Sequence, residues 1–136
     1  MSLSIRILTP LGEYLNATTE MCTLPGLEGE FGVLASHTPL MSALNVGHAI
    51  LSSGQQERHF AVGSGYAEVY QDHVTIFVET AEESHEINIE RAQQALQRSQ
   101  KAQQEAEASG AELEYKQAVL AEKRAEVRLA VSKLRD

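Results

Sequence analysis

The residues best placed to do chemistry are one acid and one histidine, Glu30 and His37, inside a segment crowded with turn formers. That segment runs LPGLEGEFGVLASHTPLMSAL from Leu24 to Leu44. Pro25-Gly26, Gly29-Glu30-Phe31-Gly32 and His37-Thr38-Pro39 punctuate it, because Gly admits positive φ and Pro fixes φ. A carboxylate in such a loop can pair with a basic group on a partner, and an imidazole can donate or accept. Two readings stand: a tight connection between strands, or a loop that presents a surface. The other reactive side chains are dispersed. His37, His48, His59, His73 and His85 show neither HxH nor HxxxH spacing, so distant strands would have to gather any metal site. Cys22 could form a nucleophilic pair with a histidine, but no spacing supplies an orienting third group, and a small buried residue is the plainer reading. No P-loop pattern occurs, and Gly63-Ser64-Gly65 is only a fragment of a glycine-rich motif. The chain does not read as an enzyme.

Two unlike halves must position these residues. Residues 1–86 hold all three Pro, eight of nine Gly and all five His, with eleven acids against Arg6 and Arg58, a net of −9. Residues 87–136 carry nine basic and eight acidic side chains, a net of +1. The acidity therefore belongs to the first half, and the total of −8 argues against a general nucleic-acid binder. A length of 136 residues suits one small domain with an appendage. A single cysteine precludes an internal disulfide and suits a reducing compartment. No run approaches the roughly 18 apolar residues of a membrane span, and MSLSIRILTP lacks the apolar core of a signal peptide. Membrane association is expected only through a partner.

The first half alternates. Leu3, Ile5 and Ile7 share one face, opposite Ser4 and Arg6, until Pro10 ends the run. Further strands are predicted at Thr19–Leu24, Phe31–Leu34, Gly47–Ser53, Gln56–Val62, Tyr66–Tyr70 and His73–Glu79. Hairpin turns fall at Ser53-Gly54 and Gln71-Asp72, with a bend or bulge at Gly63-Ser64-Gly65. The second half reads as helical from Ile89 to Ala108, and Ser109 with Glu112 matches a capping box that starts a second helix. From there Leu113, Leu120, Val127, Val131 and Leu134 mark an apolar row, with Gln117 and Arg124 filling its gaps. The predicted fold class is α+β in two segregated parts: an antiparallel β-sandwich or flattened barrel over residues 1–86, then an antiparallel two-helix hairpin over 87–136. The first helix offers only Ile89 and Leu96 as large anchors beside Ala92, Ala95, Ala102 and Ala106, so the hairpin reads as a detachable element.

Leu24-Pro25-Gly26, Gly29-Glu30-Phe31-Gly32-Val33-Leu34 and His37-Thr38-Pro39-Leu40, with Val62-Gly63-Ser64-Gly65-Tyr66-Ala67-Glu68-Val69 and Arg91-Ala92, make the chain resemble the epsilon subunit of F-type ATP synthases. The resemblance covers essentially the whole sequence. It implies a non-catalytic subunit of the central rotor, peripheral on the cytoplasmic face of a bacterial inner membrane or the stromal face of a thylakoid. Its sandwich would lie against the gamma subunit and stand on the c-ring, with Glu30 and His37 at the ring contact. The hairpin would leave the sandwich, extend along gamma and obstruct ATP hydrolysis by the alpha/beta catalytic head. Lys123, Arg124, Arg128, Lys133 and Arg135 could pair with acidic loops there, or form an ordinary solvated helix face.

Some members of that family bind ATP on the folded hairpin through I/L-D-x-x-R-A. Here the stretch is Ile87-Asn88-Ile89-Glu90-Arg91-Ala92, with Asn88 replacing the acid, and Arg98, Arg124 and Arg128 fall where further arginines are expected. Asn88 is equally suited to capping a helix. The resemblance implies no required cofactor or metal, with ATP, alone or with magnesium, as a regulatory ligand. Three functions follow as alternatives: a rotor subunit that brakes hydrolysis, a stalk subunit whose hairpin mainly senses ATP, or a small-ligand sandwich with a dimerising hairpin.

Overall fold

Alternation builds the first half. Leu3, Ile5 and Ile7 of β1 (Leu3–Thr9) are all buried, as the pattern predicts. The computed structural model describes residues 1–134. It continues with β2 (Gly12–Thr19), β3 (Met21–Gly26), β4 (Gly29–Leu34), β5 (Leu40–Leu44), β6 (Gly47–Ser53), β7 (Gln56–Val62), β8 (Gly65–Tyr70), β9 (His73–Val78) and β10 (Ala81–Glu83). The strand order is β10-β7-β6-β3-β5-β8-β9-β1-β2, with β4 paired to β3. Only one residue pair, Gly26 with Leu44, joins β3 to β5, so the sheet can fold there into two facing layers. The layers close over Phe60, Leu24, Leu44, Ile76, Val33, Val69 and the β1 side chains. β1 and β9 run parallel, while the other pairings are antiparallel.

Three strands lay outside the sequence expectation. β2 pairs with β1 through a register shift at Ile7/Leu8, which breaks its period-2 pattern. β5 hides Leu44 but exposes Met41 and Ala43, and β10 has only three residues. The Gln71-Asp72 turn falls as predicted, with Tyr70 paired to His73, whereas the other turn is Gly54-Gln55, one residue beyond the predicted Ser53-Gly54, because Ser53 still pairs with Gln56. Gln71 and Asp72 both take positive φ, the conformation a two-residue hairpin turn requires.

A 3-10 turn (Ser84–Glu86) leads into α1 (Ile89–Ser109) and α2 (Glu112–Ser132). The capping-box expectation fails here. Ser109 is the last residue of α1, and Ala111 occupies the N-cap of α2 without a side-chain bond. Gly110 explains why: at φ 71° it ends α1, and the Ala111 amide returns to the Ala106 carbonyl at 2.9 Å. That leaves Ala111 alone between the helices, and its methyl group cannot cap.

The seam between the helices also differs from the leucine row. Its buried residues are Ala92, Ser99 and Ala106 on α1, and Ala118, Ala125, Val131 and Ser132 on α2. The small ones recur every seventh position on both helices, so the backbones approach closely and the row at Leu113 and Leu120 is turned to solvent. Ile89 and Ala102 are likewise exposed, and Leu96 is half-buried. The anchor is instead Ile87, which joins Ala61, Val131 and Val127 in a small cluster where the hairpin meets the sandwich.

Candidate functional site

The β3–β4 hairpin carries the first candidate site. Register places Glu30 opposite Pro25 and Gly29 opposite Gly26, so Glu30 stands exposed one step from the turn. The chain returns through Ser36, whose positive φ is held by a 2.7 Å bond from its amide to the Asp72 carboxylate. His37 follows, with its amide bonded to the Leu34 carbonyl and its Nδ1 donating to the Thr38 carbonyl at 2.7 Å. That local bond orients the ring and leaves Nε2 for another partner. Glu30 and His37 line one open groove of about 700 Å³ with Leu27, Phe31, Leu40 and Met41. The fold therefore brings the two predicted residues to a single surface with apolar walls.

The second candidate lies between sandwich and hairpin. A groove of about 260 Å³ is bounded by Val46, Ala61, Val62 and Thr80 on one side and by Ala95, Ala121, Arg124, Ala125 and Val127 on the other. Arg128 and Glu82 also line it and are paired, Nε to Oε1 at 2.7 Å. Of the residues that resemblance singled out, only Arg124 and Arg128 reach this groove. Asn88 caps α1 by accepting from the Arg91 amide at 3.0 Å, Ile87 and Ala92 are buried as packing residues, and Arg91 and Arg98 are exposed away from the groove's lining. Lys123 and Lys133 are exposed, while Arg135 lies outside the described residues.

Three groupings escaped the sequence reading. Glu82 partners Arg128 across forty-six residues, a separation no local pattern spans. At the root of the hairpin, Arg58 donates twice to Glu83, at 2.9 and 2.8 Å. Those bonds hold the Glu83 carboxyl below its ordinary range. Tyr14 accepts from the Glu83 amide at 2.8 Å and donates to Glu86; burial and that carboxylate push its hydroxyl pKa up. Finally, His48 and His59 meet across β6 and β7, with Nε2 and Nδ1 2.8 Å apart. Their proximity was readable only from the hairpin register around Gly54. Cys22 is fully buried and its pKa is pushed up to about 12 by burial, so it is no thiolate nucleophile at neutral pH.

The described residues thus form a sandwich with an attached helix pair and open grooves at its surface. The family model for the ATP synthase delta/epsilon chain β-sandwich domain matches residues 2–84. The chain belongs to that family, as an epsilon-type, non-catalytic subunit. It is 42% identical over 94 residues to the ATP synthase epsilon chain of Geobacter metallireducens, covering 69% of this chain and 68% of that one. The epsilon chain of Nitratidesulfovibrio vulgaris is 39% identical over 94 residues, covering 69% and 70%. In fold it resembles a chain of the Euglena gracilis mitochondrial ATP synthase, with TM-score 0.81 at 23% identity over 98% of this chain and 82% of that one. A weaker likeness, TM-score 0.54 at 17% identity over 65% and 71%, is to a chain in the central stalk and c-ring of the Tetrahymena thermophila enzyme. Among the described residues no helix is long and apolar enough to cross a membrane.

Proposed function

We propose that this chain is a central-stalk subunit whose sandwich lies on the gamma subunit and stands on the c-ring, and whose hairpin restrains ATP hydrolysis by the alpha/beta head. The subunit sits at the cytoplasmic face of a bacterial inner membrane, or the stromal face of a thylakoid, and is held there through the complex. The observation that carries this reading is the hairpin's narrow seat: Ile87, Val127 and Val131 on Ala61, plus the Arg128–Glu82 pair. Little apolar area holds the element down, so a competing surface on the complex can take it. Glu30 and His37 supply the ring contact from their shared groove. One exposed ion pair there is worth about 0–1 kcal/mol, so torque passes through the whole interface. Ending the chain after Glu86 is expected to leave the complex assembled and raise its ATP hydrolysis severalfold. Unchanged hydrolysis in the assembled complex, with or without added ATP, sinks the brake and leaves the stalk role.

A second reading, ATP sensing by the seated hairpin, is supported by the two arginines in the groove beneath it. The groove is smaller than the roughly 300–1,000 Å³ of ordinary ligand pockets, so bound nucleotide would extend from its open side. Glu82 already occupies Arg128, and Asn88 brings no charge to its end of the site. If ATP binds only the seated form, a concentration 100 times its Kd adds about 2.7 kcal/mol to seating. Calorimetry of the isolated chain with ATP and magnesium is expected to give binding that Arg124→Ala and Arg128→Ala each weaken tenfold or more. Heat unchanged in both variants rules out this groove as the nucleotide site.

A further inference from the structure

His48 and His59 face each other on β6 and β7, with ring centroids 4.9 Å apart and planes tilted by 32°. With Nε2 of His48 and Nδ1 of His59 2.8 Å apart, one nitrogen carries the hydrogen and the other offers its lone pair. Glu57 stands 3.4 Å from Nε2 of His59. A proton added to His59 beside Glu57 leaves N–H on both its nitrogens, with Nδ1 donating to Nε2 of His48. The bond therefore survives one added proton. A second proton, on Nε2 of His48, sets two N–H groups against each other and breaks it.

The position of the pair gives this chemistry a consequence. Phe60 points into the core, so its neighbours His59 and Ala61 lie on the opposite face of β7. His48 pairs directly with Ala61, the sandwich residue on which Ile87 and Val131 rest. The His59 side chain is nevertheless only 11% exposed, and β7 packs against both the 3-10 turn and α2. By register His48 stands beside the seat of the hairpin, and the His59 side chain is largely shielded from water.

We propose that His48 and His59 form a proton-binding switch beside the hairpin's seat, bonded while at most one proton is added and forced apart by the second, which releases the hairpin. This rests on the hairpin being detachable, as proposed above. The sign follows from the environment. Burial, then the charge of His59, holds His48 below its ordinary value, while Glu30 and Glu57 oppose that shift. The folded chain therefore disfavours the charge on His48, and the stability tied to the neutral ring is complete above about pH 6.5 and lost as pH falls below it. Around the pair, β3 carries the uncharged Thr23 and Pro25. β10 carries Glu82 and Glu83, engaged by Arg128 and Arg58. The 3-10 turn carries His85 and Glu86, and α2 carries Arg124 and Arg128, with Lys133 just after its end.

The test is methyl and imidazole NMR of the full chain, titrated from about pH 8 to 5 across the histidine range. The His48 ring is expected to titrate below the ordinary histidine midpoint, and the Ile87 and Val131 methyls to lose their buried shifts along the same curve. Each unit of depression should appear as about a tenfold gain in release between the two ends of the titration. In His48→Gln, whose amide can still donate to His59, the methyl response should vanish while the core methyls of Ile5 and Ile76 stay in place. His59→Gln should remove it too. The proposal is overturned if Val131 and Ile87 follow no histidine midpoint in the natural chain, or if their response persists in His48→Gln. Failure here is distinct from failure of the brake, which is read by hydrolysis in the truncated complex.

Discussion

Gly65→Ala is expected to lower the urea midpoint of the isolated chain substantially, the largest single-residue effect anticipated in the sandwich. A methyl group there would lie 1.8 Å from the Phe77 carbonyl oxygen, 2.8 Å from its carbon and 2.9 Å from the Val78 Cα. All three are backbone atoms, so no side chain can rotate away. Nor can the strands part, because Gly65 is paired on both sides, with Leu44 of β5 and Val78 of β9. Overpacking by an extra methyl ordinarily costs about 1–3 kcal/mol, and backbone confinement places this case at or above the top of that range. Against a total of about 5–15 kcal/mol for a domain, a cost of about 3 kcal/mol removes roughly a fifth to three fifths of the folded margin. Gly63→Ala is the control: its nearest neighbour is the Thr80 hydroxyl at 2.9 Å, a side-chain atom that can move, so its midpoint should fall less. Equal midpoints for Gly65→Ala and the natural chain would refute the close β8–β9 approach.

Gly63-Ser64-Gly65 shows how far the sequence was legible. Its glycines marked an irregularity in the right place, but the reason at Gly65 is a neighbouring backbone, and no composition reveals what lies across a strand. Where a side chain's fate depends on its own chain neighbours, the reading succeeded: Leu3, Ile5 and Ile7 alternate and are buried. β2 was missed because the bulge at Ile7/Leu8 destroys the period that would have marked it. In α1 the expected Ala92 and Ala106 are buried, whereas in α2 the leucine row was expected and the smallest side chains are buried instead, because closeness of approach is a property of two helices together. The candidate site divides the same way. Glu30 and His37 share a segment and a groove, whereas Arg128 with Glu82 and His48 with His59 are joined only by tertiary pairing.

That contrast between large and small residues yields the second large effect. Ala125→Leu is expected to unseat the hairpin and leave the sandwich folded. Ala125 is 2% exposed, on the face it shares with Ala118 and Ser132 and against the row of Ala92, Ser99 and Ala106. An isobutyl group is too bulky for a seam set by methyl and hydroxymethyl side chains, so it spreads the helices or pushes α2 off the sandwich through the adjoining groove. The cost is about 1–3 kcal/mol, large against a seat made of one small cluster and one ion pair. Ala125 also lines the groove that holds Arg124 and Arg128, so any nucleotide affinity should fall with it. Far-UV circular dichroism should show helix melting earlier than the sandwich. Leu120→Ala, at an exposed site in the leucine row, should move the same melt by no more than about 0.5 kcal/mol. If Leu120→Ala proves the more damaging of the two, the helices meet along the leucines and the small-residue seam is wrong. If Ala125→Leu is the more damaging, the weak point of the hairpin is its closest contact, and release of the element is governed by residues chosen for their lack of bulk.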